Sequence, residues 1–186
     1  LGRSLVVMTS NKGAAEFFPP DLMKGISRKE LDRRIQSVDK SRLQEAFLRK
    51  DSYASGTATP REIVQRVDEW ILGSPLLRPE VLEIARDEAN RYEAEFAKAT
   101  KGSLEVSDSY VEKIVDVYFN ETDGAREVNR RIRDYLDRAM NKFVLNRAGS
   151  VHLTIDAEAP ALRPSEIKIV VSDGRNSFAV DGPKIA

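Results

Sequence analysis

The 186-residue chain contains no cysteine. That excludes disulfides, thiol nucleophiles and cysteine-bound zinc, and it fits a reducing, cytoplasmic setting. No apolar run approaches the roughly 18 residues that a membrane helix needs, so no membrane partner is expected. The start, Leu1-Gly2-Arg3-Ser4, has neither an initiator Met nor the layout of a signal peptide. The chain therefore reads as a piece of something longer. Charge of one sign is also missing, since 30 basic and 30 acidic residues cancel, whereas a duplex-binding domain usually shows a basic excess. The basic cluster at 126–138 is interleaved with Glu127, Asp134 and Asp137, the pattern of a solvated helix face, and no nucleic-acid partner is expected. The one histidine, His152, stands between Val151 and Leu153 and should face the polar side of a strand. A lone exposed imidazole makes no metal site. Finally, no Gly-x-x-x-x-Gly-Lys-Ser/Thr occurs, nor an apolar strand ending in Asp-Glu. The loop that cradles a triphosphate and the acids that hold its magnesium are both absent from this chain.

What is present falls into two parts divided at Gly73-Ser74-Pro75, a break that places one domain at 1–73 and a second at 74–186. The first opens with Leu5-Val6-Val7-Met8, a short unbroken apolar run that reads as a strand buried on both faces. Such a strand needs neighbours, supplied either from upstream or by the C-terminal sheet. A polar, helix-rich stretch follows. Ser27-x-x-Glu30 has capping-box spacing, a helix is predicted over 40–50, and 51–58 reads as a loop. Thr59-Pro60-Arg61-Glu62 is a second capping box with Pro at the first helical position, and its helix is predicted to run through Trp70 to about Leu72.

In the second part Pro79 starts a long helix to about Lys98, with Leu82, Ala85, Ala89, Tyr92 and Phe96 on one stripe. Ser107 caps a helix that turns Val111, Ile114, Val115 and Tyr118 to one side. A third helix begins near Asp123, with Val128, Ile132, Tyr135, Leu136, Ala139 and Phe143 facing inward. After Gly149 the period becomes two, and three short strands are predicted around Val151–Ile155, Ile167–Val171 and Phe178–Val180. The fold class is thus an α/β fragment followed by a mainly helical α+β domain with a small, mostly antiparallel three-stranded sheet.

Three polar segments could carry chemistry. Thr9-Ser10-Asn11 follows the buried run, and ligands of open parallel sheets bind beyond the carboxyl ends of strands. The plainer reading is a pair of side chains satisfying a loop backbone. Arg66 lies beside Asp68 and Glu69, by default an exposed charged face. Gly124-Ala125-Arg126 opens an amphipathic helix, where small residues allow close approach and a guanidinium joins the helix dipole to suit a phosphate. Its default is again a solvated arginine.

The order of these segments resembles the second half of a AAA+ ATPase module of the Clp unfoldase and disaggregase family. Residues 5–11 are similar to the sensor-1 strand, which reads close to "IIMTSN" there. Residues 60–69 resemble "RPEFLNRIDE" with one extra residue, 76–82 resemble the opening of the lid domain, and 104–107 resemble "LEVTD". Residues 123–128 resemble "YGARPL", the most specific of the matches. Gln65 stands where the family prefers Asn, Glu127 where it has Pro, and 12–59 is longer and more polar than usual.

The resemblance implies a hexameric ring that couples ATP and magnesium to unfolding or remodelling of protein substrates. In it Asn11 would be the sensor-1 residue, Arg66 the arginine finger reaching the neighbour's ATP, and Arg126 the sensor-2 arginine on the subunit's own phosphates, with Gly124 and Ala125 beside it. The fragment alone would bind ATP weakly and hydrolyse none. Two rival readings are a non-catalytic oligomerisation module derived from a lid, and a AAA+ protein acting on nucleic acid. A peptidase partner is not expected. None of Gly13, Gly25 and Gly56 lies between an aliphatic and an aromatic residue, and Lys24-Gly25-Ile26, the nearest approach, puts a lysine at the first anchor.

Overall fold

The computed structural model describes residues 6–9, 14–48, 61–100, 102–120, 124–144, 152–157, 163, 167–173 and 177–181, with backbone only at 142–144, 178, 180 and 181. It resolves into two compact units, Leu1–Pro75 and Leu76–Ala186.

In the first unit, α1 (Ala14–Phe17) and α2 (Pro20–Met23) are single turns, and α3 (Arg28–Ser37) and α4 (Lys40–Leu48) are longer helices. Ser27 caps α3 as its spacing predicts, its hydroxyl accepting from the Glu30 N–H. The carboxylate of Glu30 pairs along the helix with Arg33 and Arg34. The described core of this unit is Met23, Leu31, Leu43, Ala46 and Val64.

Two expectations fail here. Residues 6–9 form no strand, and Val6 and Val7 stand 78% and 75% exposed. A strand buried on both faces exists only between neighbours, and the C-terminal sheet does not take this segment up. The helix expected as far as Leu72 ends at Val64, so α5 (Arg61–Val64) is a single turn. Its last turn tightens, Arg66 N–H bonding Ile63 C=O and Val67 N–H bonding Val64 C=O. With Ile63 and Ile71 exposed, no apolar stripe remains to sustain a longer helix.

The second unit is a helical layer on one face of a sheet. The three expected helices are α6 (Arg78–Thr100), α7 (Asp108–Tyr118) and α8 (Ala125–Val144). Ser107 caps α7 through the Tyr110 N–H. The three expected strands are β2 (His152–Ala157), β3 (Lys168–Ser172) and β4 (Ser177–Asp181), paired antiparallel in that order. A fourth strand, β1 (Ser103–Val106), lies parallel to β2 with Leu104 opposite Leu153 and Val106 opposite Ile155. Four residues offer too little alternation to read as a strand in advance, and the pairing spans α7 and α8. Leu104, Val106, Leu153, Ile155, Ile169 and Val171 share the buried face, where they meet Tyr110, Ile114, Ile132, Tyr135 and Leu136 of the helices.

The outer edge of β1 is covered by side chains of α6. Glu93 accepts from the Val106 N–H at 2.7 Å, and Arg86 donates to the Val106 carbonyl at 2.5 Å. Arg86 also pairs with Asp108 at 3.1 Å. An edge strand closed in this way has no backbone groups at Val106 left to offer.

Candidate functional site

The site is built around the first turn of α8. Gly124 precedes it at φ +59°, in the left-handed region, and its N–H bonds the Asn120 carbonyl at 3.2 Å. A Cβ there would meet only Leu76 Cδ1 at 3.9 Å, an ordinary contact. The backbone conformation, not space, is what calls for glycine. Ala125 packs against the core cluster, which fixes the rotation of α8 and sends the next side chain outward. Arg126 is therefore exposed, on a turn whose first N–H groups have no helical partner and carry the positive end of the dipole.

Its guanidinium has no hydrogen bond or ion pair among the described residues, whereas its neighbours are taken. Arg130 donates two bonds to Glu127 at 2.7 and 3.0 Å, and Arg131 donates to the same carboxylate at 2.7 Å. The bond from Arg130, helped by that from Arg131, holds the Glu127 carboxyl below its ordinary pKa. Arg131 also lies over the Tyr118 ring, 5.0 Å from its centre. Further along, Arg133 bonds Glu88, which is 5% exposed, and Glu95. Arg126 thus projects from a helix whose other charges near it are already satisfied. The Glu127 pairs follow an i, i+3 and i, i+4 spacing that was open to reading in the sequence. The Glu88 pair depends on how α6 and α8 pack and was not.

An anionic oxygen suits this turn, with a guanidinium unpaired among the described residues and the dipole of a 20-residue helix behind it. A divalent cation does not. Among the described residues no three His, Asp or Glu side chains lie close enough to hold a metal ion. His152 is exposed, as its strand position predicted, and its Nδ1 lies 2.6 Å from Ser103 Oγ across the β1–β2 pair.

The other two candidates belong to the first unit. Arg66 stands in the turn after α5 rather than late in a helix, exposed and without a side-chain partner among the described residues. Asn11 lies outside the described residues.

The amino terminus of α7 carries a cluster that the sequence did not announce. Asp156 of β2 accepts from Ser107 Oγ at 2.7 Å, from Ser109 Oγ and from its own neighbour Ala157 N–H at 2.7 Å. The two serines hold its pKa below the usual carboxylate value. The carboxylate steadies the capping hydroxyl at a helix end that favours negative charge. Its signal is invisible in one dimension because it needs the register of β1 on β2.

Among the described residues no helix is long and apolar enough to cross a membrane. Residues 76–156 match the family described as the C-terminal, D2-small domain of ClpB protein. Over 142 residues, 76% of this chain, the sequence is 29% identical to the chaperone protein ClpB2, chloroplastic, of Oryza sativa subsp. japonica. The matched part is 13% of that relative's length.

Proposed function

We propose, from the match of residues 76–156 to the ClpB D2-small family and the similarity to a ClpB chaperone, that the chain is the C-terminal region of a Clp-type AAA+ ATPase and forms the nucleotide-sensing end of an ATP-driven protein-remodelling ring. The observation that carries this reading is Arg126, unpaired among the described residues, on the first turn of α8, behind a left-handed Gly124 and within the matched domain.

In this reading Arg126 binds phosphate oxygens of the subunit's own ATP, and the N–H groups of α8 add their dipole. ATP with magnesium supplies the transferable phosphoryl group, while the loop that cradles it and the metal ligands come from elsewhere in the polypeptide. Arg66, exposed in its turn, reaches the nucleotide of a neighbouring subunit and stabilises the charge that spreads over the transferring phosphoryl group. Asn11 orients water or the terminal phosphate. Residues 1–73 are then the end of the large α/β domain and 74–186 the lid. The substrates are proteins, and the ring is a hexamer that works without a peptidase. In support of that last point, Lys24 and Gly25 are exposed while Ile26 is half-buried, a poor tripeptide for filling apolar pockets on a partner.

The test uses the full-length protein. Arg66→Ala should remove ATP hydrolysis, by roughly a thousandfold, and leave nucleotide affinity intact. Mixing its subunits with wild type should poison the ring, as a residue acting in trans requires. Arg126→Ala should instead weaken the subunit's own nucleotide binding. Wild-type turnover and affinity in both variants would leave an oligomerisation module as the better account.

A further inference from the structure

Arg66 sits in a short, irregular segment, and α5 before it buries only Val64. A four-residue helix does not hold itself in water. The exposed guanidinium nonetheless needs a fixed origin if it is to act at a distance. The restraints come from α4. Lys40 Nζ donates to the Asp68 carbonyl at 3.1 Å, two residues beyond Arg66. Trp70, four residues beyond, meets the Phe47 ring edge to face with centroids 4.9 Å apart and planes at 79°. Leu43 and Ala46, between these anchors on α4, are buried. Lys40, Leu43 and Phe47 fall at i, i+3 and i+7, one stripe two turns long. That stripe is what the segment after Arg66 rests on. The first anchor fixes a backbone carbonyl, so it restrains the path of the chain and not merely a side chain. The second adds aromatic contact at a site otherwise poor in apolar partners.

We propose that α4 is a brace for the Arg66 turn, with Lys40, Phe47 and Trp70 as positioning residues that set where the arginine points. The inference rests on the reading of Arg66 as a trans-acting arginine. It adds a role for a stretch, 12–59, that the family resemblance leaves unexplained. None of the three touches nucleotide; each acts through the backbone that carries Arg66.

The variants are Lys40→Met, Lys40→Arg and Phe47→Leu in the full-length protein, measured beside Arg66→Ala. Lys40 is exposed, so Lys40→Met should fold normally, with unchanged melting temperature. Its turnover is expected to fall about tenfold, the scale of a modest misplacement of a catalytic group, with KM for ATP within twofold of wild type. Subunits of Lys40→Met mixed into wild-type rings should lower turnover more than in proportion, because the defect is delivered to the neighbour. Lys40→Arg, which can still donate to Asp68, should recover most of the loss. Phe47→Leu keeps the volume apolar and removes the ring pair, and it should show the same kcat-only loss. Wild-type turnover in Lys40→Met and Phe47→Leu, alongside a dead Arg66→Ala ring, would overturn the brace and leave the Arg66 reading standing. Wild-type turnover in Arg66→Ala would remove the premise itself.

Discussion

Tyr118 of α7 and Tyr135 of α8 meet hydroxyl to hydroxyl at 2.8 Å within the core of the second unit. Burial first, and then the shared hydrogen bond, pushes the Tyr135 pKa well above its ordinary value, so its hydroxyl stays protonated at any working pH. Arg131 lies over the Tyr118 ring and bonds Glu127, the residue after Arg126. A continuous set of contacts therefore links the packed interior to the first turn of α8. The orientation of that turn is fixed from below by core tyrosines and not only by the helix itself.

Tyr135→Phe should leave the Tyr118 hydroxyl without this partner and destabilise the second unit by about 1–3 kcal/mol. Urea titration should show a lower midpoint at unchanged m-value. The double variant Tyr118→Phe, Tyr135→Phe should be less damaging than the sum of the two single changes, because it leaves no orphaned hydroxyl.

The Asp156 cluster makes the second unit sensitive to acid. Bonds from Ser109 and Ser107 hold its folded pKa below the ordinary carboxylate value. The charged form is therefore favoured in the folded state, and its contribution is fully present above the ordinary carboxylate pKa. It is lost as pH falls through the folded pKa. Glu127, lowered through Arg130 and Arg131, acts with the same sign. Asp156→Asn should lower stability at neutral pH and flatten its fall below about pH 4, the ordinary carboxylate range. Melting curves from pH 7 to pH 2 test this. A separate variant, Ser107→Ala, should cost about 1 kcal/mol as a lost cap.

Glu88 is nearly sealed from solvent and bonds Arg91 and Arg133. Arg133→Met leaves its charge with one exposed arginine. The expected cost is on the order of 2 kcal/mol, between surface and buried pairs. Adding Glu88→Leu should return stability towards wild type, and a cycle of chemical denaturation measures the coupling.

The chain by itself should bind ATP weakly and turn none over. One guanidinium and a helix end remain once the phosphate-cradling loop is absent, and both are screened by salt. Calorimetry at low and high salt, with a phosphate-release assay, reads both quantities. Binding that survives unchanged in Arg126→Ala would place the anion elsewhere.

The helices of the second unit were legible because their apolar residues repeat with helical period: the stripe from Leu82 to Phe96 and that from Val128 to Ala139 both face inward. Ser27 and Ser107 marked their helix starts correctly for a local reason, since a cap is made within four residues. What could not be read was non-local. β1 owes its existence to β2 across α7 and α8, and Asp156 meets Ser107 only in that register. The helix drawn through Trp70 failed because a capping signal says where a helix can begin, while its length is set by what it can bury. Val6 to Met8 showed the converse: an apolar run announces a strand only when neighbours exist to cover both faces.

The covering of β1 by Arg86 and Glu93 bears on how this sheet can go wrong. Open-ended fibrillar growth needs two edges, each accepting a new strand while offering another. At the β1 end of the β1-β2-β3-β4 order, Arg86 and Glu93 occupy the backbone groups of Val106 that a new strand would need. Growth of the sheet by a strand added beside β1 is thereby opposed. Opening the Arg86 and Glu93 cover would turn a terminator into a template.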